Sequence, residues 1–139
     1  MADNDELLIL GTGAMASLFG ARLSAVADVT LMGTWAAGLQ ALASDGIRVQ
    51  EADGSTTNYP VRVVRGPEPC KGAKLALVLV KSWQTERAVR QLQECLDPMG
   101  IALTLQNGLG NLDALQEGLG VERAALGVTT TGATLLGPG

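Results

Sequence analysis

At 139 residues the chain is long enough for one domain with a core of its own. Its composition, 47% hydrophobic and 17% charged, excludes intrinsic disorder, and 3% aromatic residues argue against a stacking platform for single-stranded nucleic acid. A net charge of −4 disfavours nucleic-acid and anionic-membrane surfaces, and the absence of histidine removes the commonest catalytic base and the commonest metal ligand. The two cysteines, Cys70 and Cys95, have neither metal-ligand spacing nor a CxxC motif. They read as reduced thiols of a cytoplasmic protein, with one disulfide as the alternative. Met1 to Glu6 carries three acids and no base, unlike a signal peptide. No apolar run approaches the ~18 residues of a membrane span.

Short apolar runs alternate with helical patterns along the chain. Leu7 to Leu10 is a buried-strand run that stops at Gly11. Ala14 to Ala25 follows as a helix, with Met15, Leu18, Phe19 and Leu23 at helical spacing. Asp28 to Met32 predicts a second strand, and Trp35 to Ala43 a short helix stopped by Asp45-Gly46. Ile47 to Glu51 and Tyr59 to Val64 read as two strands of a hairpin-like excursion. Leu75 to Val80 is the most apolar run, as a central parallel strand requires. Gln84 to Leu96 is amphipathic, with Ala88, Val89, Leu92 and Leu96 inward, and Asp97 to Gly100 ends it. Ile101 to Leu105, Asn111 to Leu119 and Ala124 to Val128 predict a strand, a helix and a strand. This order predicts a doubly wound, Rossmann-type α/β fold: a mostly parallel sheet with helices on both faces. The final Leu135 to Gly139 stretch closes on neither a helix nor a cap, a pattern expected of a piece of a larger protein.

Four clusters fall at predicted strand ends. Gly11-Thr12-Gly13-Ala14-Met15-Ala16 is a GxGxxA between a strand and a helix, the context of a dinucleotide turn. There Gly11 permits the turn, Gly13 lets a pyrophosphate approach the backbone, and Ala16 keeps helix and strand close. The helix start offers free N–H groups and a positive dipole end. An ordinary glycine turn is the alternative. The second strand ends in Met32-Gly33-Thr34-Trp35, with neither the acid that selects NAD nor the arginine that selects NADP. Thr34 occupies the ribose-reading position, and Trp35 either covers an adenine or packs the helix start. Lys81 follows the central strand and suits a phosphate, a ribose hydroxyl or a carboxylate, or else caps a helix in solvent. Trp83 and Gln84 read as packing the turn. Gln106-Asn107-Gly108 follows the next strand; it predicts a turn of unusual φ with the Asn107 amide facing the crevice, or a plain turn. No residue set reads as a metal site.

The chain resembles the ketopantoate reductase (2-dehydropantoate 2-reductase) family. The likeness rests on GTGAMA at the first turn, LVLVKSWQTERAV in the middle, LQNGLGNLDAL after it and GVTTTGATLLGPG at the end. It implies NADPH-dependent reduction of 2-dehydropantoate to pantoate in pantothenate and coenzyme A biosynthesis. By the resemblance, Gly11 to Ala16 wrap the pyrophosphate and Lys81 contacts the cofactor near the ribose. Asn107 lies between nicotinamide and substrate, and Ala133 meets the cofactor through its backbone. Thr34 stands where the family commonly has an arginine for the 2′-phosphate, which leaves NAD possible beside NADP. Family members also carry a helical C-terminal substrate domain with a proton-donating lysine, so residues 1–139 are expected to be the dinucleotide-binding domain alone, with no catalytic residue of its own. The expected partner is a small 2-oxo acid, with a homodimer possible. Rival readings are a paralogue reducing another 2-oxo acid or ketone, and a non-catalytic NAD(P)-sensing module.

Overall fold

In the computed structural model, which describes residues 5–139, the apolar run of β1 (Asp5–Leu10) lies at the middle of the main sheet. The reading of Met1 to Asn4 lies outside the described residues. After β1 come α1 (Ala14–Leu23), β2 (Ala27–Met32), α2 (Ala36–Asp45), β3 (Ile47–Gln50), β4 (Thr56–Tyr59) and β5 (Arg62–Val64). Then follow β6 (Ala73–Val78), α3 (Thr85–Cys95), β7 (Leu96–Thr104), α4 (Asn111–Leu119) and β8 (Ala124–Leu126). The main sheet has the order β5-β2-β1-β6-β7-β8 and every pair in it is parallel. The expected doubly wound architecture is therefore present.

Period-two alternation sorts the core into two layers. Leu8 and Leu10 point to the face covered by α3 and α4, meeting Val89, Leu92 and Leu115. Leu7 and Ile9 point to the opposite face with Ala16, Ala21 and Leu42 of α1 and α2. Both faces of β1 are thus covered, which is why its run is continuously apolar. The expected inner residues Ala88, Val89 and Leu92 of α3 are buried, as is Leu96, which begins β7 and does not end the helix as expected.

Three features differ from what the sequence pattern suggests. The stretch Tyr59 to Val64 is not one strand. It breaks at Pro60, which supplies no N–H to a ladder. Tyr59 ends β4, antiparallel to β3, while Arg62 to Val64 form β5 at the parallel sheet's edge beside β2. The inner face of α1 is built from Ala16, Ser17, Gly20 and Ala21; Met15, Leu18, Phe19 and Leu23 are only half-buried at its flanks. The helix lies too close to its neighbours for large side chains there: a Cβ on Gly20 would sit 2.8 Å from Ile47 Cδ1. Finally, Asp97 to Gly100 do not separate α3 from the next strand. They bulge out within β7, between the pairs Ala73–Leu96 and Leu75–Ile101. Arg123 holds the bulge by donating to the Gly100 carbonyl at 3.2 Å and the Asp97 carbonyl at 2.6 Å.

Candidate functional site

Parallel strands bring all their carboxyl ends to one edge, and the chain reverses its direction of winding between β1 and β6. A ligand crevice is expected there. A cleft of about 520 Å³ opens at that point. Gly11 to Met15 form its floor; Met32 to Trp35 and Leu79 to Ser82 form two walls; Leu105 to Asn107 and the stretch from Thr129 to Ala133 complete it. Backbone bonds carry the ladder past the strand ends into these loops, from Gly11 N to the Met32 carbonyl and from Leu79 N to the Leu10 carbonyl, at 2.8 and 2.9 Å.

The first turn has the geometry its glycines suggest. Gly11 has φ +133°, and a Cβ there would sit 3.0 Å from the Leu79 carbonyl oxygen and 3.3 Å from Ala16 Cβ. That contact explains the small Ala16, which is fully buried beneath the cleft and does not line it. At Gly13 a Cβ would meet nothing within 4 Å, so the space above it is open to a ligand. Gly13 also begins α1 without a side-chain cap, and the first amides of a helix have no partner within it. Open space above uncapped amides fits a pyrophosphate.

Of the ten residues singled out as cofactor-binding, Gly11, Thr12, Gly13, Ala14, Met15, Thr34, Lys81, Asn107 and Ala133 line this one cleft. Thr12 is buried, and its side chain lies over Gly33, where a Cβ would come within 2.6 Å of Thr12 Cγ2. Trp35 lines the cleft and also packs back over Gly38 of α2. Both proposed uses of that ring are therefore compatible. Lys81 is exposed at the start of the turn before α3. Trp83 is 81% exposed and does not pack the turn as expected; its neighbour Gln84 lines the cleft instead.

The Asn107 loop rests on a polar network that the sequence did not reveal. Asn111 Nδ2 donates to the carbonyls of Asn107 and Gly108 at 3.1 and 3.4 Å, and Ser82 Oγ donates to the Asn107 carbonyl at 3.2 Å. Thr85 Oγ1 donates to Asn111 Oδ1 at 2.9 Å in a buried position. Gln106 Nε2 donates to Thr85 Oγ1 at 2.9 Å and to the Val80 carbonyl at 2.8 Å. Thr104 Oγ1 donates to Gln106 Oε1 at 2.9 Å. The loops after β6 and β7 are thereby tied to each other and to α4. Gly108 and Gly110 both have positive φ, +98° and +89°, so the unusual turn expected at Asn107-Gly108 is present. A polar residue at 85 or 111 signals nothing alone, since the bonds from Thr85 to Asn111 and from Gln106 to Thr85 span 26 and 21 positions that only the fold closes.

Arg22 and Arg48 do not line this cleft. They line a second cleft of about 630 Å³ between α1, the β3–β4 hairpin and the segment 132–139. Arg22 pairs with Glu51 at 2.8 Å, and Arg48 donates to the Pro138 carbonyl at 2.8 Å. Arg22 is thereby ion-paired, while Arg48 keeps its charge and bonds a backbone carbonyl. Among the described residues no group of three or more acid, cysteine or histidine side chains could hold a metal ion. No helix of the described residues is long and apolar enough to cross a membrane.

Comparison with known proteins matches residues 7–139 to the family model of ketopantoate reductase PanE/ApbA. A 2-dehydropantoate 2-reductase of Halobacterium salinarum is 37% identical over 135 residues, covering 96% of this chain and 44% of that protein. Among solved structures, a D-mandelate dehydrogenase bound to NADH and anilino(oxo)acetate superposes with a TM-score of 0.86 at 27% identity, covering 96% of this chain and 43% of that one. A PanE/ApbA family ketopantoate reductase from Ralstonia eutropha gives 0.85 at 28% identity, covering 96% and 44%. The chain therefore spans less than half the length of these relatives.

Proposed function

The chain belongs to the ketopantoate reductase family, and from that premise we propose that residues 1–139 are the dinucleotide-binding half of a cytoplasmic reductase that converts 2-dehydropantoate to pantoate with NADPH, in pantothenate and coenzyme A biosynthesis. The observation that carries this reading is the convergence of the first glycine turn, Thr34, Lys81, Asn107 and Ala133 on one cleft at the reversal point of the sheet. The unpaired state of both cysteines is consistent with a reducing compartment.

When bound, the nicotinamide supplies the hydride. The chain's own residues bind and orient. The uncapped amides of α1 and the open space over Gly13 receive the pyrophosphate. Lys81 offers a charge and three donors to cofactor oxygens. The Asn107 side chain, on a loop whose carbonyl is held by Ser82 and Asn111, presents an amide to the carbonyl that accepts the hydride. Ala133 contributes backbone. Holding these groups on braced loops matters because misorientation alone can cost about a hundredfold in rate. The substrate-binding and proton-donating groups belong to a second, helical domain outside this chain, so the chain alone binds nucleotide without turnover.

A second reading, reduction of another 2-oxo acid, is favoured by the likeness to D-mandelate dehydrogenase. A non-catalytic sensor is disfavoured because sensing needs the glycine turn but has no use for Asn107 on a braced loop. Calorimetric titration of the chain with NADPH and NADH tests the binding role, which fails if neither releases or absorbs heat. Steady-state kinetics of the full-length protein with 2-dehydropantoate and with an aromatic 2-oxo acid separate the two reductase readings.

A further inference from the structure

We propose that Arg87, in the first turn of α3, binds the 2′-phosphate of the nucleotide in place of a cation at the end of β2, and so makes the cleft select NADPH over NADH. The proposal rests on the nucleotide-binding reading above and adds the residue that decides between the two cofactors.

The end of β2, Gly33-Thr34-Trp35, carries no acid to accept from the ribose hydroxyls, as an NAD site would, and no cation either. The choice must then be made from another wall. Two cations line the cleft, Lys81 and Arg87, and no Asp or Glu does. Arg87 and Gln91 are four positions apart and so share one face of α3, and both line the cleft that Thr34 and Trp35 bound on the β2 side. Thr34 holds the ribose-reading position at the end of β2, and Arg87 is the one arginine among the described residues that lines the cleft with it. Arg87 is half-buried, yet it forms no hydrogen bond or ion pair with any described residue. A partly desolvated guanidinium with all five donors free suits a phosphate, whose oxygens match its fork. Arg22 is paired with Glu51, and Arg48, Arg62 and Arg123 donate to backbone carbonyls; Arg65, exposed just after β5, and Arg90, exposed on α3, do not line the cleft. In a chain of net charge −4, a cleft lined by cations and no acids also draws the more highly charged nucleotide.

The test is calorimetric titration of the chain with NADPH and NADH, in the wild type and in Arg87→Ala, Arg87→Lys, Arg65→Ala and Arg90→Ala. A charge-assisted contact predicts a wild-type preference for NADPH of roughly 10- to 100-fold. In Arg87→Ala that preference falls to about onefold while NADH affinity stays within about twofold; Arg87→Lys keeps part of it. Arg90 is exposed outside the cleft, and its removal leaves the preference intact. Equal weakening of both nucleotides by Arg87→Ala means that the side chain stacks on the base, and overturns the proposal. Loss of the preference in Arg65→Ala instead, or no preference in the wild type, overturns it too. In all of these outcomes the nucleotide-binding reading stands; binding of neither nucleotide by the wild type removes both.

Discussion

The Thr85 hydroxyl donates to the Asn111 side-chain oxygen at 2.9 Å, and both side chains are buried. This one bond joins the start of α3 to the start of α4, and the second end of the Asn111 amide then holds the Asn107 and Gly108 carbonyls. Asn111→Ala leaves the Thr85 hydroxyl without its acceptor. The expected loss is about 1–3 kcal/mol of stability, read as a lower urea midpoint at unchanged m-value. Nucleotide affinity is expected to fall as well, because the Asn107 loop loses its brace. An unchanged midpoint would show that water replaces the network at no cost.

Gly11 and Gly13 sit two residues apart and predict opposite failures. Gly13→Val places its side chain in open space at an ordinary φ of −89°, so thermal stability is expected to hold while nucleotide binding disappears. Gly11→Ala needs a residue with a Cβ at φ +133° and against the Leu79 carbonyl. It is expected to cost about 1–3 kcal/mol. Calorimetric unfolding and nucleotide titration of both variants check the contrast; the pyrophosphate assignment fails if Gly13→Val binds NADPH like the wild type.

Lys81 and Asn107 are expected to separate in kinetics of the full-length protein. Lys81→Ala raises the cofactor dissociation constant and KM with a smaller change in kcat. Asn107→Ala lowers kcat by about tenfold to a hundredfold through lost orientation and changes cofactor affinity less. Two variants with wild-type affinity and kcat/KM would reduce both residues to turn and surface features.

The Cys95 thiol is buried at the end of α3, and burial, helped by nearby Cys70 and Glu94, pushes its pKa from 9.0 up to about 11. The folded state thus holds this proton more tightly than the unfolded state. The stabilisation is fully present below pH 9 and is lost as pH rises from about 9 to about 11, on the order of 1–2 kcal/mol. Urea unfolding across this range should show stability falling in the wild type and falling less in Cys95→Ala. Iodoacetamide at pH 8 is expected to label Cys95 only when the chain is unfolded.

Much of the fold was legible because the signals were local. The run Leu7 to Leu10 is strand-length and apolar, the glycines at 11 and 13 punctuate it, and Ala88, Val89 and Leu92 repeat at helical spacing. Run length, turn chemistry and periodicity are properties of short stretches, and the parallel α/β order follows from their succession. The placement of Lys81 and Asn107 after buried strands, at the carboxyl edge of the sheet, was legible in the same way, and both line the cleft there.

What the tertiary structure alone decided depends on pairing across the chain. Pro60 could be read as interrupting a strand, but only packing shows that Val63 joins β2 in the main sheet while Tyr59 turns back on Ile47. The small inner face of α1 is set by how closely the helix must approach its neighbours, not by where its large residues fall in sequence. The network of Thr85, Gln106 and Asn111 closes over separations of more than 20 positions. Arg87 lines the cleft at the reversal point of the sheet while Arg22 and Arg48 line another. A side chain's type fixes which bonds it can make, and the register of the sheet with the rotation of each helix fixes which partners are within reach.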